Sequence, residues 1–131
     1  MTNVPITNTT LLLTLNQIFV HLVTPVIPPL QKPAHALVIG INDYKNLAPL
    51  KNAVNDARAI KEALEKEGVI VFYAENCTIT QLNEIVQLYL DSLQAGEVTL
   101  VFFAGHGVEY ANANRLVAIS ESDDTDYIET V

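Results

Sequence analysis

Residues 35–103 alternate between short apolar runs and longer amphipathic stretches. The apolar runs cover residues 35–41, 69–73 and 98–103. Short continuous runs of this kind are typical of strands that are covered on both faces of a parallel sheet. We therefore predict three buried strands, of which the third is the most apolar.

The two stretches between these runs have apolar residues at the spacing of amphipathic helices. We predict a first helix over about residues 52–66 that Gly68 closes. The second helix begins at a capping box of Thr78 and Gln81, and Gly96 ends that element. Alternating strands and helices indicate an α/β fold, with a mostly parallel sheet and helices on both faces.

The chain divides into three parts by pattern. Residues 1–34 form an N-terminal extension with a proline-rich linker, residues 35–120 the α/β domain, and residues 121–131 an acidic tail. The apolar run at 11–23 is too short to span a bilayer and lacks a basic start, so we interpret it as an unrelated extension or a short docking helix, with a cleaved signal peptide as the alternative. Residues 115–119 are expected to form a short fourth strand.

The formal charge of −8, from 15 acidic and 7 basic residues, argues against nucleic acid or an anionic membrane as partner. The acidic tail is interpreted as solvated and frayed rather than as a metal site. A single cysteine, Cys77, excludes an internal disulfide, which favours a reducing, cytoplasmic location. No metal site is predicted, because no cysteine and histidine have the spacing of zinc ligands. The acidic residues of the tail are Glu121, Asp123, Asp124, Asp126 and Glu129.

Candidate chemistry lies where the predicted strands end, since ligands of parallel sheets bind beyond the carboxyl ends of the strands. The third strand runs into Gly105, His106 and Gly107. Gly105 is expected to let the chain leave the strand in a conformation that other residues resist. His106 then either serves as a catalytic base, with the Gly107 N–H as an oxyanion donor, or caps a backbone carbonyl in a plain turn.

Asp56 opens the first helix at the same sheet edge. One interpretation is a helix-start carboxylate that the helix dipole stabilises. The other is the floor of an anionic pocket that selects a basic substrate side chain. The remaining histidines, His21 and His35, are expected to have no partner and no catalytic role.

Three blocks together resemble the caspase-like peptidases, and within them the metacaspases. They are residues 35–42, residues 50–57 with Asn55, Asp56 and Ala57, and residues 101–107. Their order and separation match as well as their letters, over about residues 35–120. The resemblance implies a caspase-like fold and a cysteine endopeptidase with a Cys–His dyad. The block at 55–57 argues against the caspase-like domain that accompanies helical repeats in signalling proteins.

By position, the resemblance makes His106 the catalytic histidine and Gly107 an oxyanion donor. It makes Asp56 a substrate-binding residue for Arg or Lys before the cut. It implies no cofactor other than the calcium of many metacaspases, whose acidic ligands lie in a second half that this segment lacks. Ala53 and Ala104 stand where metacaspases often have a cysteine and a serine.

The family places its nucleophilic cysteine on the next core strand, whereas these 131 residues have no cysteine after His106. The domain is thus expected to be truncated after the third core strand, and this chain alone to be inactive. Its third strand would expose a bare edge. Three explanations are open: a fragment of a larger peptidase, an edge covered by a partner strand, or residues 115–119 folding back over it.

Two functions follow. The first is a thiol peptidase domain that acts on peptide or protein substrates once the domain is completed. The alternative is a catalytically dead pseudo-peptidase that binds and regulates a full-length relative or adaptor, with self-association as a further outcome.

Overall fold

A computed structural model describes residues 32–121 in full and the backbone of three flanking strands. The helices are α1 (Ala53–Lys66) and α2 (Ile79–Ser92). The strands are β1 (Thr9–Thr14), β2 (His21–Leu22), β3 (His35–Gly40), β4 (Ile70–Glu75), β5 (Val98–Ala104), β6 (Gly107–Tyr110), β7 (Ala113–Val117) and β8 (Tyr127–Glu129).

The main sheet of the described residues has the order β2-β1-β5-β3-β4, with β3 between two parallel neighbours. Val38 of β3 lies opposite Tyr73 of β4 on one side and Phe102 of β5 on the other. These three strands are the apolar runs of the sequence, shifted at their ends by one or two residues. The predicted α/β fold with a parallel sheet is confirmed.

The two helices cover opposite faces of this sheet. Side chains of α1 pack in one core cluster with Val38 and Phe102, whereas those of α2 pack in another with Ile39 and Phe103. Because successive strand residues point to opposite faces, each strand contributes to both clusters. Gly40 brings α1 close, since a β-carbon there would lie 2.6 Å from that of Ala57.

The helix ends lie where the local sequence signals predict them, with one exception. Thr78 and Gln81 form the predicted capping box at the start of α2, and Gly68 has a positive φ of 82° just beyond α1. Gly96, however, does not end α2. The helix stops at Ser92 because Leu93 turns to extended backbone, and Gly96 lies in the following turn with φ of 85°.

The outer edge of β5 is occupied by β1, which corrects two expectations. β1 runs parallel to β5 with Thr9 opposite Val98 and Thr14 opposite Phe103, and β2 pairs antiparallel to β1. A docking helix is therefore wrong for residues 9–14 and 21–22, and the edge of β5 is not bare. An extended segment satisfies the hydrogen-bonding groups of that edge, which a helix cannot do.

A small antiparallel sheet of order β6-β7-β8 follows. The predicted fourth strand exists as β7, but it pairs with β6 and β8 and does not fold back over β5. The prediction of a frayed tail is wrong for β8, whose Ile128 lies opposite Leu116. Residues 123, 124 and 126 lie outside the described residues.

The first residue of the predicted tail, Glu121, is anchored. Its carboxylate accepts hydrogen bonds from the Thr80 backbone N–H at 3.0 Å and from the Thr80 hydroxyl at 3.1 Å. These bonds favour the charged form, so they lower the pKa of Glu121. Glu121 therefore binds the first turn of α2.

Across the described residues, no helix has the length and apolar character needed to cross a membrane.

Candidate active site

His106 lies between β5 and β6 at the carboxyl end of the sheet. Its Nε2 is 2.7 Å from the backbone oxygen of Ala48, in the loop that joins β3 to α1. A carbonyl oxygen only accepts, so Nε2 carries the proton and, in the neutral ring, Nδ1 carries the lone pair. The histidine does cap a backbone carbonyl, and that bond leaves Nδ1 as the basic nitrogen. The two interpretations of His106 are thus compatible.

The backbone of His106 is held by Val117 and by the side chain of Tyr44. The Val117 N–H donates to the His106 carbonyl at 3.0 Å. In the opposite direction, the His106 N–H donates to the Tyr44 hydroxyl at 2.9 Å, and that hydroxyl donates to the Val117 carbonyl at 2.8 Å. A phenol oxygen therefore takes the place of one direct ladder bond between two facing residues.

Gly105 makes room for this hydroxyl. A β-carbon at residue 105 would lie 2.5 Å from the Tyr44 oxygen and 2.7 Å from the ring of Phe103. Gly105 is not among the residues with positive φ, so the expected conformational role is wrong. Steric space, rather than backbone freedom, is the reason for glycine here.

Gly107 begins β6 opposite Leu116. The pair before it, His106 and Val117, is the hydrogen-bonded pair, because the Val117 N–H binds the His106 carbonyl. Hydrogen-bonded and non-bonded pairs alternate in an antiparallel ladder, so Gly107 belongs to a non-bonded pair. Its N–H points away from β7, at the outer edge of the small sheet.

The loop that carries Tyr44 and Ala48 is tied down by two asparagines. The Asn42 side-chain oxygen accepts from the Val54 N–H at 3.2 Å, and that of Asn76 accepts from the backbone N–H groups of Asn42 and Asp43 at 2.9 and 3.2 Å. Asn76 takes the left-handed conformation with φ of 47°. Asparagine tolerates that conformation better than most residues. Its position directly after a strand is the sequence signal that could have identified Asn76.

Asp56 lies in the first turn of α1, exposed to solvent, with its N–H donating to the Asn52 carbonyl at 2.9 Å. The helix starts at the carboxyl edge of the sheet, so Asp56 and His106 share that edge. Within the described residues, no hydrogen bond or ion pair involving the Asp56 carboxylate is found. Its substrate-binding role remains a prediction.

Cys77 is distant from His106, and its thiol is expected to be unreactive. It follows β4, which is two strands from β5, a separation of about 10 Å. The residue is 2% exposed, and burial raises the pKa of its thiol to about 11. Reactive thiols need the reverse, a lowered pKa and access to solvent.

The other histidines have no place in this site. Nδ1 of His35 lies 3.1 Å from both carboxylate oxygens of Glu97, so the expectation that His35 lacks a partner is wrong. The side chain of His21 lies outside the described residues. Within the described part of the chain, no group of three or more histidine, cysteine or acidic residues is placed to hold a metal ion.

Comparison with known families identifies the family of this chain. A family model, the caspase domain of the C14 peptidases, matches residues 33–130, which is most of the chain. No individual curated protein matches it. A strand, helix, strand, helix, strand unit with a glycine-flanked histidine at its carboxyl edge, together with this match, shows that the chain belongs to the caspase domain family of C14 peptidases.

Proposed function

We propose that this domain supplies the general base of a cysteine-type endopeptidase, with His106 in that role. One observation carries the proposal: the bond from Nε2–H to the Ala48 carbonyl, at 2.7 Å, leaves Nδ1 as the proton acceptor. In such a reaction Nδ1 takes the thiol proton, and the thiolate forms a bond to the scissile carbonyl carbon. The carbon–nitrogen bond then breaks as the leaving amine receives that proton, and water hydrolyses the thioester.

Two further residues are proposed for this reaction. The Gly107 N–H, directed away from β7, donates to the oxyanion that develops on the scissile carbonyl oxygen. Asp56, an exposed carboxylate on the same sheet edge, binds the basic side chain that precedes the cut. A metacaspase-like preference for Arg or Lys follows from that charge.

The nucleophile is proposed to come from a segment other than residues 1–131. The one cysteine among these residues is Cys77, whose thiol is buried and has a raised pKa. A polypeptide of these residues alone is therefore expected not to hydrolyse peptides.

The test begins with the transcript, sequenced through and beyond the codon for Val131. The longest encoded protein and the 131-residue polypeptide are then assayed on matched peptides that end in Arg, Lys or Asp. The proposal predicts that only a protein with a cysteine after His106 cleaves, after Arg or Lys, and that alkylation of that cysteine stops it. Cleavage by the 131-residue polypeptide, or cleavage after Asp alone, would contradict it.

A second candidate function is a regulatory binding module without catalysis. It is supported by the way in which β1 is attached at the edge of β5. Both helices pack on the sheet at β3 and β4, and α1 also reaches β5, whereas β1 has its main contacts with β5 and β2. β1 thus occupies this edge through pairing with one core strand. A strand from a second copy or a family relative can form the same ladder in its place.

This second candidate is tested with the intact chain. Two differently tagged copies are mixed at micromolar concentration, and a tagged copy is also offered a relative that has a full caspase domain. Exchange into mixed dimers or capture of the relative supports a binding module. A chain that stays monomeric and retains neither protein rules it out.

A further inference from the structure

The Tyr44 side chain touches the candidate base in two ways. Its hydroxyl accepts from the His106 N–H at 2.9 Å, and its ring lies 4.6 Å from the imidazole, tilted by 58°. The residue is 8% exposed, so water does not readily replace these contacts. No sequence pattern pointed to Tyr44, because its hydrogen-bonding partners are 62 and 73 positions away.

The same loop holds His106 at a second point. Ala48 follows Tyr44 by four residues, and its carbonyl accepts a hydrogen bond from the ring Nε2–H at 2.7 Å. The hydroxyl therefore fixes the backbone of residue 106 while the carbonyl fixes its ring. Both atoms belong to one loop, so the hydrogen bonds of the hydroxyl hold that loop, and with it the Ala48 carbonyl, against the end of β5 where the imidazole lies.

The hydroxyl also takes part in the pairing of His106 with Val117. By bridging the His106 N–H to the Val117 carbonyl, it continues the β6–β7 ladder one pair beyond Gly107. The direct bond from the Val117 N–H to the His106 carbonyl fixes which way the peptide between residues 106 and 107 faces, and the hydroxyl bridge supports the same residue pair from its other side. The phenol oxygen thus binds the His106 backbone directly, whereas the Gly107 N–H is oriented by the direct bond between His106 and Val117.

We propose that Tyr44 is a positioning residue, whose hydroxyl holds the backbone of His106 and, through the loop that it shares with Ala48, sets the orientation of the His106 ring. The inference rests on the proposed function for its catalytic meaning, but its physical content concerns the orientation of His106 in the chain as it stands. Burial raises the pKa of Tyr44, in keeping with a hydroxyl that stays protonated and donates to Val117.

The experiment is nuclear magnetic resonance of the ¹⁵N-labelled 131-residue protein with Tyr44→Phe. Phenylalanine keeps the ring contact with His106 and removes only the oxygen. The two imidazole nitrogens of His106 should report the Nε2–H tautomer in the parent protein and a mixture in the variant. Exchange of the His106 amide proton should accelerate by about tenfold as it loses its acceptor.

Tyr89→Phe is the matched control. Tyr89 is a second buried tyrosine whose hydroxyl is hydrogen-bonded, to Thr99 in the core under α2. It should lose comparable stability while the His106 signals stay unchanged. A purely structural role for Tyr44 predicts the same behaviour in both variants, and identical His106 signals in Tyr44→Phe and the parent would overturn the proposal.

A second measurement needs no variant. In the parent protein the Tyr44 hydroxyl proton should exchange slowly and show magnetisation transfer to the His106 amide proton. A rapidly exchanging hydroxyl without that transfer would also overturn the inference, even where Tyr44→Phe does not fold. Neither result bears on the role of His106 as base. That role is tested separately, by the effect of His106→Ala in a peptidase assay.

Discussion

Gly105 and Tyr44 stand so close that a single added carbon would collide: a β-carbon on residue 105 would lie 2.5 Å from the Tyr44 hydroxyl oxygen. We therefore expect Gly105→Ala to destabilise the fold by about 1–3 kcal/mol through overpacking. Chemical denaturation measures this loss as a lower midpoint. Gly107→Ala is the control, because a β-carbon there meets the Arg115 carbonyl at an ordinary 3.6 Å. Equal losses in the two variants would contradict the steric explanation.

The buried thiol of Cys77 should react slowly. Its pKa of about 11, against 9.0 for a free thiol, leaves about a hundredfold less thiolate below pH 9. Alkylation at pH 8 should be slowed by at least that factor relative to the unfolded protein, since burial also blocks access. The rate is followed by mass spectrometry. Labelling of the folded chain as fast as the unfolded one would contradict the buried thiol and make Cys77 a candidate nucleophile.

Alkaline pH should weaken the fold in a defined order. Because the pKa of Cys77 is raised in the folded state, the unfolded chain releases that proton first as pH rises. The free energy of unfolding should be insensitive to this thiol below pH 9 and fall between pH 9 and 11, by about 3 kcal/mol at most. Above pH 10 the buried Tyr89 adds a further fall, since burial raises its pKa to about 12.

Urea denaturation at a series of pH values tests this order. Cys77→Ala should flatten the profile between pH 9 and 10 and leave the fall above pH 10 in place. A parent profile that stays level from pH 9 to pH 10 would show that the thiol is not buried as described.

Asp56→Asn should lower the activity on some substrates only, rather than on all of them. Removing the carboxylate should lower kcat/KM for peptides ending in Arg or Lys by about ten- to a hundredfold, the size of a lost charge-assisted bond. The assay uses a protein that contains this domain and a nucleophile. Glu62→Gln, another exposed carboxylate of α1, is the matched control. An unchanged preference in Asp56→Asn would leave only the helix-start interpretation.

The secondary structure of the core was predictable because it depends on local patterns. Continuous apolar runs marked β3, β4 and β5, and the capping box of Thr78 and Gln81 marked the start of α2. The sheet edge at β1 was not predictable in this way. Residues 9–14 pair as a strand because an unpaired edge of β5 lies beside them, which is a tertiary cause that no local pattern carries.

The residues of the candidate site also differ in whether a local pattern or a distant contact indicates them. His106 and Gly107 were named as candidates from two glycines around a histidine after an apolar run, and their catalytic roles stay predictions. Tyr44 was missed because its role comes from contacts with residues distant in the sequence, and a tyrosine in a polar loop has many uses. Gly105 was noticed for the wrong reason, since a sequence does not distinguish a glycine needed for φ from one needed for space.

The central claim is that His106 is the base of a cysteine peptidase, and one comparison tests it most directly. A protein that contains residues 33–130 with a nucleophilic cysteine is assayed on Arg-ended peptides as His106→Ala and as His35→Ala, a histidine of the same domain that binds Glu97 instead. We predict that His106→Ala abolishes hydrolysis while His35→Ala retains it in the folded fraction. Hydrolysis that survives in His106→Ala would contradict the claim.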